Sequence, residues 1–154
     1  MSTEFRKVKE LSTDRCTLFI ARGIALSKKR KYKGAAEAFQ KALALDPGKS
    51  GIRILLGIAL IGAGRDEEAV SCPKDALAGN PESVDALYNL GIAYSNLGRE
   101  REALVCYDSA IRINPEFSGA RINRAVLLQG RGDPEGALKE LELVIRDSPD
   151  SADA

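Results

Sequence analysis

The sequence predicts an all-α fold built from four copies of one helical hairpin, and three observations carry that expectation. Four prolines, Pro47, Pro81, Pro115 and Pro149, follow one another at intervals of 34 residues. Registered on them, small residues recur at three further places. Gly23, Gly57, Gly91 and Ala125 stand at the eighth, Ala35, Ala69, Ala103 and Ala137 at the twentieth, and Ala42, Ala76, Ala110 and Val144 at the twenty-seventh. Between the prolines, apolar residues keep helical spacing, as in Leu87, Leu90, Gly91 and Tyr94 at i, i+3, i+4 and i+7. A fixed period of this size marks a repeat array, in which each unit buries its apolar face against neighbours of its own kind.

Val84–Phe117 is the clearest unit. Its first helix ends at Asn96-Leu97-Gly98, and Ala103, Tyr107, Ala110 and Ile111 line a second helix that Asn114-Pro115 stops. The chain divides without gap or insertion into repeats 16–49, 50–83, 84–117 and 118–151. A segment 1–15 precedes them and a tail 152–154 follows. Phe5, Val8 and Leu11 have a weak helical spacing in segment 1–15, which reads as an extra helix or a flexible arm, or as a plug that folds back on the domain. Ser12 or Asp14 is a candidate cap for the next helix, expected from about Cys16 to Ser27.

The 34-residue period, with small residues at the eighth, twentieth and twenty-seventh places and proline at the thirty-second, resembles the tetratricopeptide repeat (TPR) family. The third unit also carries Leu87, Leu90, Tyr94 and Tyr107 where that family prefers large apolar residues. The resemblance implies a right-handed α-solenoid of four hairpins and about eight helices, with the first helix of each hairpin lining a concave side.

Several stretches depart from the regular pattern. The run Lys28–Lys33, KKRKYK, is a basic cluster at the turn of the first hairpin, where a solvated loop is ordinary and no aromatic stacking platform accompanies it. Gly51–Gly64 is apolar nearly all round: Leu56, Gly57 and Leu60 should face the partner helices. Ile54, Leu55, Ile58 and Ile61 form a second apolar surface about 200° away, which needs its own cover. Pro73 stands mid-helix, where Phe39 and Tyr107 sit in neighbouring units, and predicts a kink or break near Ser71–Pro73. Pro134 falls instead at a first-turn position that tolerates it. The fourth unit reads as looser, because Arg121 and Arg124 replace apolar residues and Gly130, Gly132 and Gly136 weaken its helices. No polar-faced capping helix is seen after it, so Leu138, Leu141 and Ile145 are expected to form an apolar edge that invites a partner, a second copy or further chain.

Composition limits the chemistry. Lys and Arg total 23 against 22 Asp and Glu, a net charge of +1, so no global field steers the chain towards nucleic acid or an anionic membrane. With no histidine and three cysteines, neither a metal site, a disulfide framework nor a nucleophile–base pair is expected. Cys72 and Cys106, at equivalent places of neighbouring units, read as half-buried thiols in a reducing compartment. Paired acids such as Glu67/Glu68 and Glu140/Glu142 read as solvated helix faces. The N-terminus lacks a signal-peptide pattern, and Ile52–Ala63 is too short to span a bilayer. The expectation is a cytoplasmic protein that is not an enzyme, carries no cofactor, binds no nucleic acid and inserts in no membrane.

The resemblance implies that first-helix residues at six places line a groove. Carried over, the apolar positions are Ile20, Ile24, Ile54, Leu55, Ile58 and Ile61, and the more polar half is Tyr88, Asn89, Ile92, Asn123 and Val126. Asn89 and Asn123 occupy the same place in consecutive units, and a row of amides can hold a peptide backbone. The lysines and arginine with which some chaperone adaptors of the family grip a C-terminal carboxylate are missing. The function expected is a protein–protein interaction scaffold or adaptor that takes a helix or extended peptide. The alternative is a self-assembling structural module, a homo-oligomer through exposed apolar helix surfaces.

Overall fold

In a computed structural model, residues 3–147 are described, with side chains from residue 11 onward except residue 12. Pro149, the tail 152–154 and the side chains of Phe5, Val8 and Ser12 lie outside the described residues. Eight helices and no strand occur among the described residues: α1 (Thr3–Lys28), α2 (Tyr32–Leu45), α3 (Ser50–Gly62), α4 (Asp66–Gly79), α5 (Val84–Asn96), α6 (Glu100–Ile113), α7 (Ser118–Gly130) and α8 (Pro134–Asp147). The all-α class and the four hairpins are as the period predicts. The helices form two compact units, Met1–Gly79 and Asn80–Ala154, each holding two hairpins.

The repeat is visible in the helix ends. Each second helix spans 14 residues and each first helix after α1 spans 13. Within every hairpin the turn closes the same way. The N–H groups of Lys31, Arg65, Arg99 and Asp133 donate to the carbonyls of Leu26, Leu60, Tyr94 and Leu128 at 2.8–2.9 Å. The residue before each donor is left-handed: Arg30 at φ 57°, Gly64 at 71°, Gly98 at 70° and Gly132 at 81°. This six-to-one bond across a left-handed residue satisfies helix-end carbonyls that would otherwise lack partners. Gly132 therefore closes a turn and weakens no helix, which corrects the sequence reading.

In the first unit, α1 begins at Thr3 instead of Cys16. No proline or glycine precedes Gly23, so nothing in the sequence stops the helix at the expected boundary. Because α1 contains no reversal, residues 3–15 extend the first hairpin's own helix and do not fold back over it. The core between α1 and α2 is Phe39, at 1% exposure, laid over Gly23 with Ala35 and Ala42 beside it. A Cβ on Gly23 would stand 2.5 Å from Phe39 Cε1, so glycine is required by the close approach. Leu56 and Leu60 of α3 are buried with Gly57 as expected, joined by Ile52 and Ala59.

The expected break at Pro73 does not occur. Helix α4 runs unbroken from Asp66 to Gly79, with Pro73 fully buried. Its ring takes the core position filled by Phe39 and Tyr107 elsewhere, so burial offsets the missing backbone bond. The smaller ring also leaves more room: a Cβ on Gly57 would lie 3.5 Å from Pro73 Cδ and 3.6 Å from Cys72 Cβ, ordinary contact.

In the second unit, Leu90, Tyr94, Ala103, Tyr107 and Ala110 form the buried layer between α5 and α6. A Cβ on Gly91 would collide with Tyr107 Cε1. Helix α5 is capped by Ser83, whose hydroxyl accepts from the Ala86 N–H. Helix α8 starts on Pro134, and Asp133 Oδ1 accepts from the Gly136 N–H at 2.9 Å. A first-turn proline and an aspartate cap fit a helix start, as the sequence indicates.

The fourth hairpin is not loosened by its arginines. Arg121 Nη1 and Arg124 Nη1 donate to the two carboxylate oxygens of Glu140 at 2.8 and 2.6 Å. Arg124 Nε also reaches Asp108 Oδ1 of α6 at 2.6 Å, and Arg121 Nε reaches the Pro115 carbonyl. The Arg121 and Glu140 side chains are only 11% and 13% exposed. Glu140, read as part of a solvated face, instead ties α7 to α8 and, through Arg124, to α6. Two guanidiniums on one carboxylate satisfy its acceptor sites, the condition under which a poorly solvated ion pair is tolerated.

Candidate functional site

Once the hairpins are packed, α3 still carries apolar residues that its neighbours do not cover. Ile58 is 41% exposed, and Ile54, Leu55 and Ile61 are half-buried. On α1 of the same unit, Ile24 is 39% exposed and Ile20 half-buried. All six come from the places expected to line a groove. Their exposure follows from helical period: Ile52, Leu56, Ala59 and Leu60 take the faces turned to α2 and α4, and these residues take what remains.

In the second unit the expected polar positions are largely engaged within the protein. Asn89 is 6% exposed, and its Nδ2 donates to the Asp85 carbonyl one turn back at 2.7 Å. Asn123 is half-buried near the Tyr107 hydroxyl. The two amides that the sequence aligns are thus set at different depths, and that of Asn89 is spent on its own helix. Burial pushes the Tyr107 phenol well above its ordinary range, with the Asn123 amide acting the other way. Tyr88 is half-buried in an aromatic cluster, edge-on to Phe117 with centroids 5.1 Å apart and tilted against Tyr107 at 6.3 Å. Gly119 admits this ring, since a Cβ there would stand 3.2 Å from Tyr88 Cζ. Ile92 is half-buried and Val126 is 62% exposed.

The three cysteines are buried and form no disulfide, deeper than the half-buried state expected of Cys72 and Cys106. Cys16 Sγ donates to the Ala42 carbonyl, and burial pushes the Cys72 thiol up, which leaves it a poor nucleophile. Among the described residues no group of three or more His, Cys, Asp or Glu is placed to hold a metal ion, and no helix is long and apolar enough to cross a membrane. The basic run from Lys28 to Lys33 is exposed except for Tyr32, which is half-buried and lies against Gly62. Two exposed ion pairs repeat at one place: Arg65 with Glu68 and Arg99 with Glu102. In each the arginine hydrogen bond holds the glutamate below its usual carboxylate range.

Paired helices repeating at 34 residues, with small residues where the pairs touch, define a helical-hairpin repeat protein. Profiles of the tetratricopeptide repeat match residues 84–117, 26–72 and 118–142, more than half of the chain together. The chain belongs to the tetratricopeptide repeat family. Solved structures of similar fold include MamA, at 23% identity and TM-score 0.80, over 97% of this chain and 88% of that one. YrrB, a TPR protein with an unusual peptide-binding site, is 25% identical with TM-score 0.74 over 95% of this chain and 75% of its own. TTC0263, a thermophilic TPR protein of Thermus thermophilus, is 20% identical with TM-score 0.77 over 85% of this chain and 73% of that one. No curated protein matches the sequence.

Proposed function

We propose that the chain is a protein-interaction scaffold that takes an apolar-anchored peptide segment, helical or extended, on the first helices of its hairpins. The observation that carries this reading is the uncovered surface of α3 and α1, with Ile58 at 41% and Ile24 at 39% exposure beside half-buried Ile20, Ile54, Leu55 and Ile61. Apolar residues clustered on one exposed face are what a partner's anchoring side chains fill. Family membership and the peptide-binding site of YrrB support the same use of the fold. In the second unit Tyr88, Ile92 and Val126 offer contact area, while Asn89 and Asn123 would lend at most their remaining bonding capacity.

A peptide-display selection tests the proposal. Peptides enriched on the wild-type protein should carry apolar residues at i and i+3 or i+4, or at alternate positions if extended. The substitution Ile58→Arg should weaken them by about tenfold or more, with the helical circular dichroism unchanged. Selected peptides that bind Ile58→Arg as well as wild type would rule the surface out.

A further inference from the structure

We infer that copies of this chain associate head to tail, α8 of one copy stacking on α1 of the next as successive hairpins stack inside each unit. Within the units, a second helix packs against the first helix of the following hairpin, α2 against α3 and α6 against α7. The followers' third and tenth places lie well round the helix from the eighth, which faces the hairpin's own second helix, and are therefore assigned to that seam. Ile52 and Ala59 of α3 are 3% and 1% exposed, and Ala120 and Leu127 of α7 are 0% and 9%. The preceding helices present their twenty-first and twenty-eighth places, Ala36 and Leu43 on α2 and Leu104 and Ile111 on α6, all buried or half-buried.

Both halves of this seam recur uncovered at the two ends of the described chain. On α8 the twenty-first and twenty-eighth places are Leu138 and Ile145, the same pair in size as Leu104 and Ile111, yet they are 57% and 66% exposed. Leu141 between them is 40% exposed. On α1 the third and tenth places are Leu18 and Ala25, large then small like Ile52 and Ala59, yet Leu18 is 67% exposed and Ala25 is open as well. Leu11, two turns before Leu18 on the same stripe, is 55% exposed. One face is the seam's donor and the other its acceptor, so the occupant each fits is a second copy of this chain. The contact is heterologous, because the two surfaces differ, and each added copy leaves one face of each kind open. This seam uses surfaces apart from Ile24 and Ile58, so it does not rest on the peptide-binding proposal.

Sedimentation velocity over a concentration series tests it. The mass should grow with concentration beyond a dimer, and a wild-type protein that stays monomeric to high micromolar concentration overturns the inference. Leu18→Glu and Ile145→Glu, both at exposed positions, should each weaken self-association by at least about tenfold, since a charge buried in the seam lacks a partner. An equimolar mixture of the two variants should form a one-to-one dimer and nothing larger, through the α8 face of the first and the α1 face of the second. If Leu18→Glu alone still dimerises, the association is α8 on α8 and the head-to-tail arrangement is wrong. Ile58→Arg should leave the growth of mass unchanged.

Discussion

The side chain that stands opposite decides between tolerance and collision at the eighth place of the repeat. At Gly91 a methyl group would run into the Tyr107 ring, whereas at Gly57 it would meet Pro73 and Cys72 at ordinary distance. Gly91→Ala should therefore destabilise by about 1–3 kcal/mol through overpacking. Gly57→Ala should be neutral or stabilising by up to about 1 kcal/mol, since alanine is the better helix former. Chemical denaturation of both variants reads the difference, and equal losses would contradict the packing described. Tyr107 itself sets a pH limit. Its phenol is held neutral by burial, with a folded pKa above the ordinary 10.0. A group raised on folding gives stability that is complete below its unfolded pKa and is lost as pH climbs towards the folded one. Stability should thus fall by up to about 1.4 kcal/mol per pH unit above roughly pH 10. Tyr107→Phe should flatten that alkaline slope, and an unchanged slope would show that another group causes it.

At the scale of helices, the fourth hairpin is held by charge where its neighbours are held by rings and alanines. Glu140→Ala would strand Arg121, whose side chain is 11% exposed, with no counter-charge. The expected loss is about 3 kcal/mol, against less than about 0.5 kcal/mol for Glu142→Ala on the exposed face. Thermal unfolding of the pair separates the two. The hairpins, their turns and most of the core were legible in the sequence, because period and small-residue register report packing directly. Arg121, Arg124 and Glu140 were not. Residues 16 and 19 positions apart pair only once α7 and α8 are folded together, and spacing along one helix carries no sign of it. At Gly132 the register shared with Gly64 and Gly98, a left-handed turn position, outweighs glycine's low helix propensity. The start of α1 was hidden by the lack of any stop signal before it. Of the candidate surface, the second apolar face of α3 was legible from helical period and Ile20 and Ile24 of α1 only through the family resemblance, whereas the depth of Asn89 depends on how its neighbours close over it.

For the molecule as a whole, the two compact units differ in what stabilises them. The second holds an aromatic cluster, a serine cap and the arginine–glutamate network. The first holds a proline inside α4 and a left-handed arginine at its first turn. Native-state hydrogen exchange should therefore show slower exchange across α5 and α6 than across α4, where Pro73 removes one rung of the helix ladder. Faster exchange in α5 and α6 would mean that the network and cluster contribute little.

The shared turn geometry reaches into how such a chain can change in length. Because the links between hairpins also close alike, with the N–H groups of Lys49, Ser83 and Phe117 reaching the carbonyls of Asp46, Asn80 and Asn114, a duplicated stretch such as 84–117 would join its neighbours through turns already compatible with both. Recombination in whole periods adds a finished hairpin with a donor and an acceptor face, while any other insertion length rotates those faces away from their partners. The heritable unit of this protein is in that sense the hairpin, and its length is something inheritance can count in steps.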